Sequence, residues 1–167
     1  MSDPVTPALP ATAPAPGLAV VDRLRNWDAA PVFEVIEFQG EVTLVVPREH
    51  LKPVCSYLKS EPGLEFNFLS DVSVMDRFPI EPRFDVNYHL LSISTRQTVR
   101  LRVRLDGGDA RVESVTPIWP TAEWHEREIF DLFGVRFAGH PDLRRILMPD
   151  NWEGHPLRKD FPTEGFR

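Results

Sequence analysis

Residues 98–105, Thr98-Val99-Arg100-Leu101-Arg102-Val103-Arg104-Leu105, decide the fold. Val99, Leu101, Val103 and Leu105 alternate with Arg100, Arg102 and Arg104, and a period of two marks a strand with one buried and one wet face. Such a strand needs neighbours. Upstream, residues 84–94 and 66–75 have strand-type composition, and downstream Asp106-Gly107-Gly108-Asp109 is a turn. Further back, residues 32–38 and 42–46 read as two strands joined at Gln39-Gly40, and Pro47 ends the second. Between the two strand groups Leu51, Val54, Cys55 and Leu58 fall on one helical face. Pro53 is tolerated there in the first turn, and Glu61-Pro62-Gly63 closes the helix. Val20, Val21, Leu24 and Trp27 predict a shorter helix ahead of everything else. The order helix–two strands–helix–three strands implies an α+β single domain, one mixed or antiparallel sheet with helices packed on it.

Composition narrows the function. A chain of 167 residues supports one core with tails. A net charge of −6 argues against a general nucleic-acid binder, which needs a basic surface. The lone cysteine, Cys55, can form no internal disulfide and cannot by itself ligate an iron–sulfur cluster. It falls on the apolar helix face and reads as core packing. No apolar run is long enough to span a bilayer as a helix. Residues 1–16 are rich in proline and alanine, with no basic residue before Arg23, and read as a disordered tail rather than a targeting signal. The arginines at 100, 102 and 104 read first as a solvated outer face, second as a docking strip for an acidic surface.

Residues 122–133 form the most informative helix. Thr121 is an expected N-cap and Gly134 an expected left-handed C-terminal residue. Ala122, Ile129 and Phe133 cluster at 100° per residue. Trp124 and Leu132 extend the apolar region one way, and Phe130 the other. Only Glu123, Arg127 and Asp131 make a clean polar strip. A helix apolar over most of its circumference must be covered on more than one side, by the downstream chain or by another subunit. Glu126 and Glu128 then become partly buried carboxylates, either paired structurally with arginines or acting as a general acid and base. The structural reading is preferred, because nothing in the sequence supplies a pocket.

After residue 136 the chain changes character. Residues 137–167 hold Pro141, Pro149, Pro156 and Pro162, many large apolar side chains, and a motif used twice: Gly139-His140-Pro141-Asp142-Leu143-Arg144 and Gly154-His155-Pro156-Leu157-Arg158. An extended segment with so many anchors is expected to wrap a partner, with residues 17–136 forming the core domain. His140 and His155 lack metal-site spacing and are expected to donate to backbone carbonyls from turns.

The residues from Trp119 to Pro162 resemble a known family. Glu126-Arg127-Glu128, Asp131-Leu132-Phe133, Gly139-His140-Pro141-Asp142-Leu143-Arg144-Arg145 and Trp152-Glu153-Gly154-His155-Pro156-Leu157-Arg158-Lys159-Asp160 look like the signature of the thirty-kilodalton subunit of respiratory complex I, the C-type subunit in bacteria. Upstream, residues 66–71, Asp76 and the stretch from Arg83 to Leu90 resemble the family's middle strands more thinly. The resemblance implies a peripheral subunit of NADH:quinone oxidoreductase on the cytoplasmic side of a bacterial membrane. FMN and iron–sulfur clusters would lie in partner subunits and none in this chain, and the forty-nine-kilodalton-type subunit would be its chief contact. It marks Glu126, Arg127, Glu128, Asp131, His140, Asp142, Arg144, Arg145, Trp152, His155, Arg158, Lys159 and Asp160 as structural or partner-interface residues, not catalytic ones. An equivalent subunit of a related membrane-bound hydrogenase or dehydrogenase is the alternative. An independent hydrolase using Glu126 and Glu128 is a third reading.

Overall fold

A computed structural model describes residues 18–27, 34–162 and 164. Its elements run α1 (Leu18–Arg25), β1 (Glu34–Phe38), β2 (Glu41–Val45), α2 (Leu51–Ser60), β3 (Phe68–Asp76), β4 (Phe84–Ser92), β5 (Gln97–Leu105), β6 (Arg111–Glu113), α3 (Ala122–Phe133) and β7 (Arg136–Ala138). Five strands form one mixed sheet in the order β1-β2-β5-β4-β3. Only β2 and β5 pair in parallel; the other neighbours are antiparallel. The α+β expectation describes this fold. The expected tail at 1–16 and the start of the first predicted strand lie outside the described residues.

The alternation in β5 sets the layers. Val99, Leu101, Val103 and Leu105 are buried, and β4 opposes them with Leu90, Tyr88, Val86 and Phe84. Leu44 of β2 and Val72 of β3 extend the same face. Val54, Cys55 and Leu58 of α2 and Val20, Val21 and Leu24 of α1 join that core. Cys55 is a free, fully buried thiol whose pKa is pushed up by burial, then by the charge of Glu126. On the opposite face the three β5 arginines find partners within their own sheet. Arg104 reaches Glu34 at 3.0 Å, Arg100 reaches Glu41 at 2.7 Å, and Arg102 donates to Asn87 at 3.0 Å. The three arginines thus lie half-buried on an outer face, two of them hydrogen-bonded to carboxylates of the same sheet, at only small gains in stability.

Several boundaries differ from expectation. Strand β3 begins at Phe68, not at 66. Phe66 is buried, its N–H donates to Leu58 O, and its carbonyl accepts from the Trp119 indole, so it closes α2 instead of joining β4. Strand β4 stops at Ser92, where a turn leads to Gln97. Strands β6 and β7, a parallel pair, have no counterpart in the expected order. β7 straddles the expected boundary at 136/137, and Phe137 is a core residue. Thr121 does not cap α3. It is itself helical and makes no side-chain cap bond, and the first amides of α3 donate instead to Trp119 O and Pro120 O.

Candidate functional site

Helix α3 is covered on two sides, as its apolar circumference requires. One side packs on β3, and the other is covered by the chain's own residues 140–158. Arg127 and Asp131, expected on a polar strip, are therefore buried, and Trp124 and Glu128, one turn apart, are exposed. The periodicity holds, but the stripe that faces solvent is not the expected one. The covering segment packs Leu143 against the core and otherwise holds α3 through polar groups.

Asp131 is the centre of that contact. One carboxylate oxygen accepts the successive backbone N–H groups of Ile146, Leu147 and Met148 at 3.0, 2.8 and 2.8 Å. The other accepts from Arg145 at 2.6 Å. Burial alone would raise the Asp131 pKa. The Met148 amide, Arg145 and the amides of Ile146 and Leu147 outweigh it and hold the group below its usual value. The other end of the Arg145 guanidinium donates to Trp152 O and Gly154 O, so one side chain ties the helix to two points of the segment. Arg127 donates to Arg144 O and Arg145 O and lies over the Trp124 ring at 5.2 Å.

The repeated motif has a shared geometry. Both Gly139 and Gly154 sit at positive φ, and the histidine after each turns to a carbonyl of α3. His140 Nε2 bonds Glu123 O, and its Nδ1 accepts the Asp142 amide, which fixes the proton on Nε2. His155 Nδ1 donates to Asp131 O at 2.9 Å. From there the second copy caps the helix. The amide of Leu157 donates to Leu132 O, and Arg158 Nε to Phe133 O. The last carbonyls of a helix lack partners within it, and cations are favoured there, so this segment satisfies both demands at once.

Gly134 permits the arrangement. It takes φ +75°, and a Cβ there would sit 2.5 Å from the His155 ring and 2.6 Å from Arg158 Nη2. Gly134→Ala is expected to expel His155 and Arg158 from the helix end and to lower stability by about 1–2 kcal/mol from backbone strain alone. A thermal melt beside a tryptic digest checks this. An unchanged melt with an equally protected segment would remove Gly134 from the account.

A second anchor lies at the edge of the sheet. Asp76 accepts from Arg83 through both carboxylate oxygens, from the Phe78 amide and from the Lys159 amide. Arg83 also grips Asp160 with two bonds of 2.9 and 2.6 Å and lies between the Phe78 and Phe84 rings. Lys159 thus contributes its backbone and Asp160 its carboxylate. Asp76 and Arg83 are the core's half of this joint, a role that no local pattern assigns them. Only their place in the family-like middle strands marks them.

The remaining signature residues divide. Asp142 and Arg144 pair with each other at the surface at 2.8 Å. Trp152 is exposed; its N–H donates to Pro149 O and its carbonyl accepts from Arg145. Glu126 is fully buried, and its partners are not arginines: the Ser114 hydroxyl at 2.6 Å, the Val115 amide at 2.8 Å and the Thr116 hydroxyl at 3.3 Å. Glu128 is not partly buried as expected but exposed, so the two acids share no cavity and cannot act as an acid–base pair.

Burial raises the Glu126 pKa above its usual value, and the Ser114, Val115 and Thr116 donors only partly offset this. A carboxyl raised by folding stabilises below its ordinary pKa and loses that contribution as pH rises through the folded value. The melting temperature of wild type relative to Glu126→Gln should therefore fall as pH rises from about 4.5. Parallel curves from pH 4 to pH 8 would show that burial does not penalise this charge.

Among the described residues no group of three or more His, Cys, Asp or Glu is placed to hold a metal ion. No helix there is long and apolar enough to cross a membrane.

The family described as "Respiratory-chain NADH dehydrogenase, 30 Kd subunit" matches residues 44–167, which takes in the end of β2, every later element and the segment that covers α3. The chain belongs to this family. The C-type subunit of NADH-quinone oxidoreductase from Geotalea uraniireducens is 44% identical over 145 residues, 87% of each chain. The Rhizobium etli enzyme has a C-type subunit, numbered 2, that is 52% identical over 128 residues, 77% of this chain and 68% of the relative. Among solved structures, the trypsin-resistant fragment (1–134) of Nqo5 superposes with a TM-score of 0.66 at 32% identity, covering 75% of this chain and 98% of the fragment. A chain of the membrane-bound sulfane sulfur reductase, an archaeal respiratory membrane complex, gives a TM-score of 0.72 at 25% identity over 88% of this chain and 86% of that one. As a member of this family, the chain is one component of a multi-subunit enzyme, NADH-quinone oxidoreductase.

Proposed function

We propose that this chain is a scaffold subunit in the peripheral arm of proton-translocating NADH:quinone oxidoreductase, at the cytoplasmic face of a bacterial membrane. In this reading the enzyme passes electrons from NADH through FMN and iron–sulfur clusters to quinone. Those groups sit in neighbouring subunits, and this chain supplies no catalytic residue. Its chief neighbour is the forty-nine-kilodalton-type subunit, seated on the C-terminal segment.

One observation carries the reading. Apart from Leu143, which packs inward, the segment holds its own core through polar groups and turns large apolar side chains outward. Leu147 is 57% exposed, Leu157 52% and Trp152 41%, while the flanking Arg145, His155 and Arg158 point inward to carbonyls and carboxylates. A polar-in, apolar-out strap stores contact area for another surface. The bonds from Asp131, Arg145 and His155 fix its shape in advance, which lowers the ordering cost of docking.

The test is made in cells. With Leu147, Trp152 and Leu157 replaced by serine in the tagged chromosomal copy, the subunit should fold but be missing from the solubilised complex, and NADH:quinone activity should fall with it. Normal incorporation would overturn the scaffold role of this face. The likeness to the sulfane sulfur reductase chain keeps a second reading in view, an equivalent subunit of a related membrane complex. Co-purifying partners with a flavin-bearing NADH module support the first reading, and partners without one the second.

A further inference from the structure

Arg111 and Arg136 are direct partners in the parallel register of β6 and β7. Both are exposed, and neither side chain makes a hydrogen bond or ion pair among the described residues. Like charges placed opposite each other across strands are destabilising unless something neutralises them. A third arginine, Arg158 of the C-terminal segment, lines the same cavity of about 240 Å³, with Gly107 and Gly134 beside it. Burial of Arg158, and then the nearby charge of Arg83, already work against its positive charge. The one carboxylate among the lining residues, Asp109, is engaged by Arg48 at 2.6 Å. In a chain of net charge −6, three arginines around one hollow run against the overall balance.

We propose that this cavity receives carboxylate side chains from an acidic segment of a neighbouring subunit. Guanidinium forks match carboxylates in bidentate geometry, and three of them around an open hollow suit a short acidic stretch. Charge selects the occupant, and Arg158, next in sequence to Leu157 of the outward apolar row, joins the cavity to the segment that carries that row. The inference therefore rests on the reading of that row as an interface.

The test uses the assembled, solubilised complex. Arg111→Glu combined with Arg136→Glu touches two exposed side chains without bonds inside the chain, so the subunit's melting temperature should stay that of wild type. The salt concentration that releases half of the subunit should fall by about twofold or more, as expected when a charge pair at an interface is reversed. Arg111→Lys with Arg136→Lys should hold close to the wild-type value. A Glu variant retained as firmly as wild type would overturn the proposal. If that variant also loses binding to vesicles of anionic phospholipid, the site belongs to phosphate instead. Failure here is separable from failure of the scaffold reading, because that reading falls only when the serine variants of Leu147, Trp152 and Leu157 assemble normally.

Discussion

Asp131→Ala should release the C-terminal segment from α3 and cost about 3–5 kcal/mol, the range for removing one partner of a buried ion pair. Asp131 is fully buried, and its loss leaves the Arg145 guanidinium, itself mostly buried, without a counter-charge. Three backbone amides, at 146, 147 and 148, lose their acceptor in the same step. Nothing else in the segment can replace that acceptor, because Arg145 fixes the remaining geometry and depends on the same carboxylate. The expected signs are faster tryptic cleavage after Arg144, Arg145 and Arg158, and a lowered melting temperature. Asp131→Asn retains the shape and one acceptor but loses the charge, so it should fall between wild type and alanine. Wild-type protease resistance in the alanine variant would mean that the segment is held by something other than this carboxylate.

Arg83→Met should be comparably damaging, again about 3–5 kcal/mol, because it strands Asp76 in the core. Asp76 is 4% exposed, and among the described residues Arg83 is the only charged side chain that bonds it. Burial pushes the Asp76 pKa up, but Arg83, the Lys159 amide and the Phe78 amide bring it down to about 2. A carboxylate depressed in the fold stabilises above its usual 3.8, and that contribution disappears as pH falls toward about 2. Without Arg83 the group titrates higher, so acid unfolding of the variant should begin at higher pH than in wild type. Chemical denaturation at neutral pH and an acid titration followed by circular dichroism measure both effects. A variant within about 1 kcal/mol of wild type, with the same acid midpoint, would remove this joint from the account.

These two joints also show what sequence alone can and cannot give. The sheet was legible because β5 alternates over a full strand and because hydrophobic periodicity reports a buried face directly. The need for a second cover on α3 was legible for the same reason. Which stripe received the cover was not. Arg127 and Asp131 look solvated by any hydrophobic measure, because their burial depends on polar partners in residues 144–148. Trp124, an apolar residue by composition, stays outside with Glu128 because nothing polar in the segment reaches that stripe. The pairing of Asp76 and Arg83 with Lys159 and Asp160 spans about eighty residues and has no periodicity to betray it. Strands β6 and β7 are three residues long, each with a single buried apolar residue, too little for an alternation to register.

The repeat was visible as a repeat, and the expectation that its histidines donate to carbonyls from turns matches the geometry. Its purpose was not visible. Two glycine turns deliver two histidines to carbonyls eight residues apart on one helix, and the second copy continues into the helix's unsatisfied end. The resemblance assigned these residues to structure or to a partner. The geometry gives most of them a first duty inside the chain, which is what sets the apolar row in place.

The most direct test of the scaffold reading is site-specific photo-crosslinking in the assembled enzyme, with the reactive residue placed in turn at Leu147, Trp152 and Leu157 and, as a control, at exposed Ser56 of α2. The account predicts strong crosslinks from all three segment positions to one larger subunit of the peripheral arm and none to it from Ser56. Crosslinks from the segment no stronger than from Ser56, in a complex that still contains the chain, would contradict it.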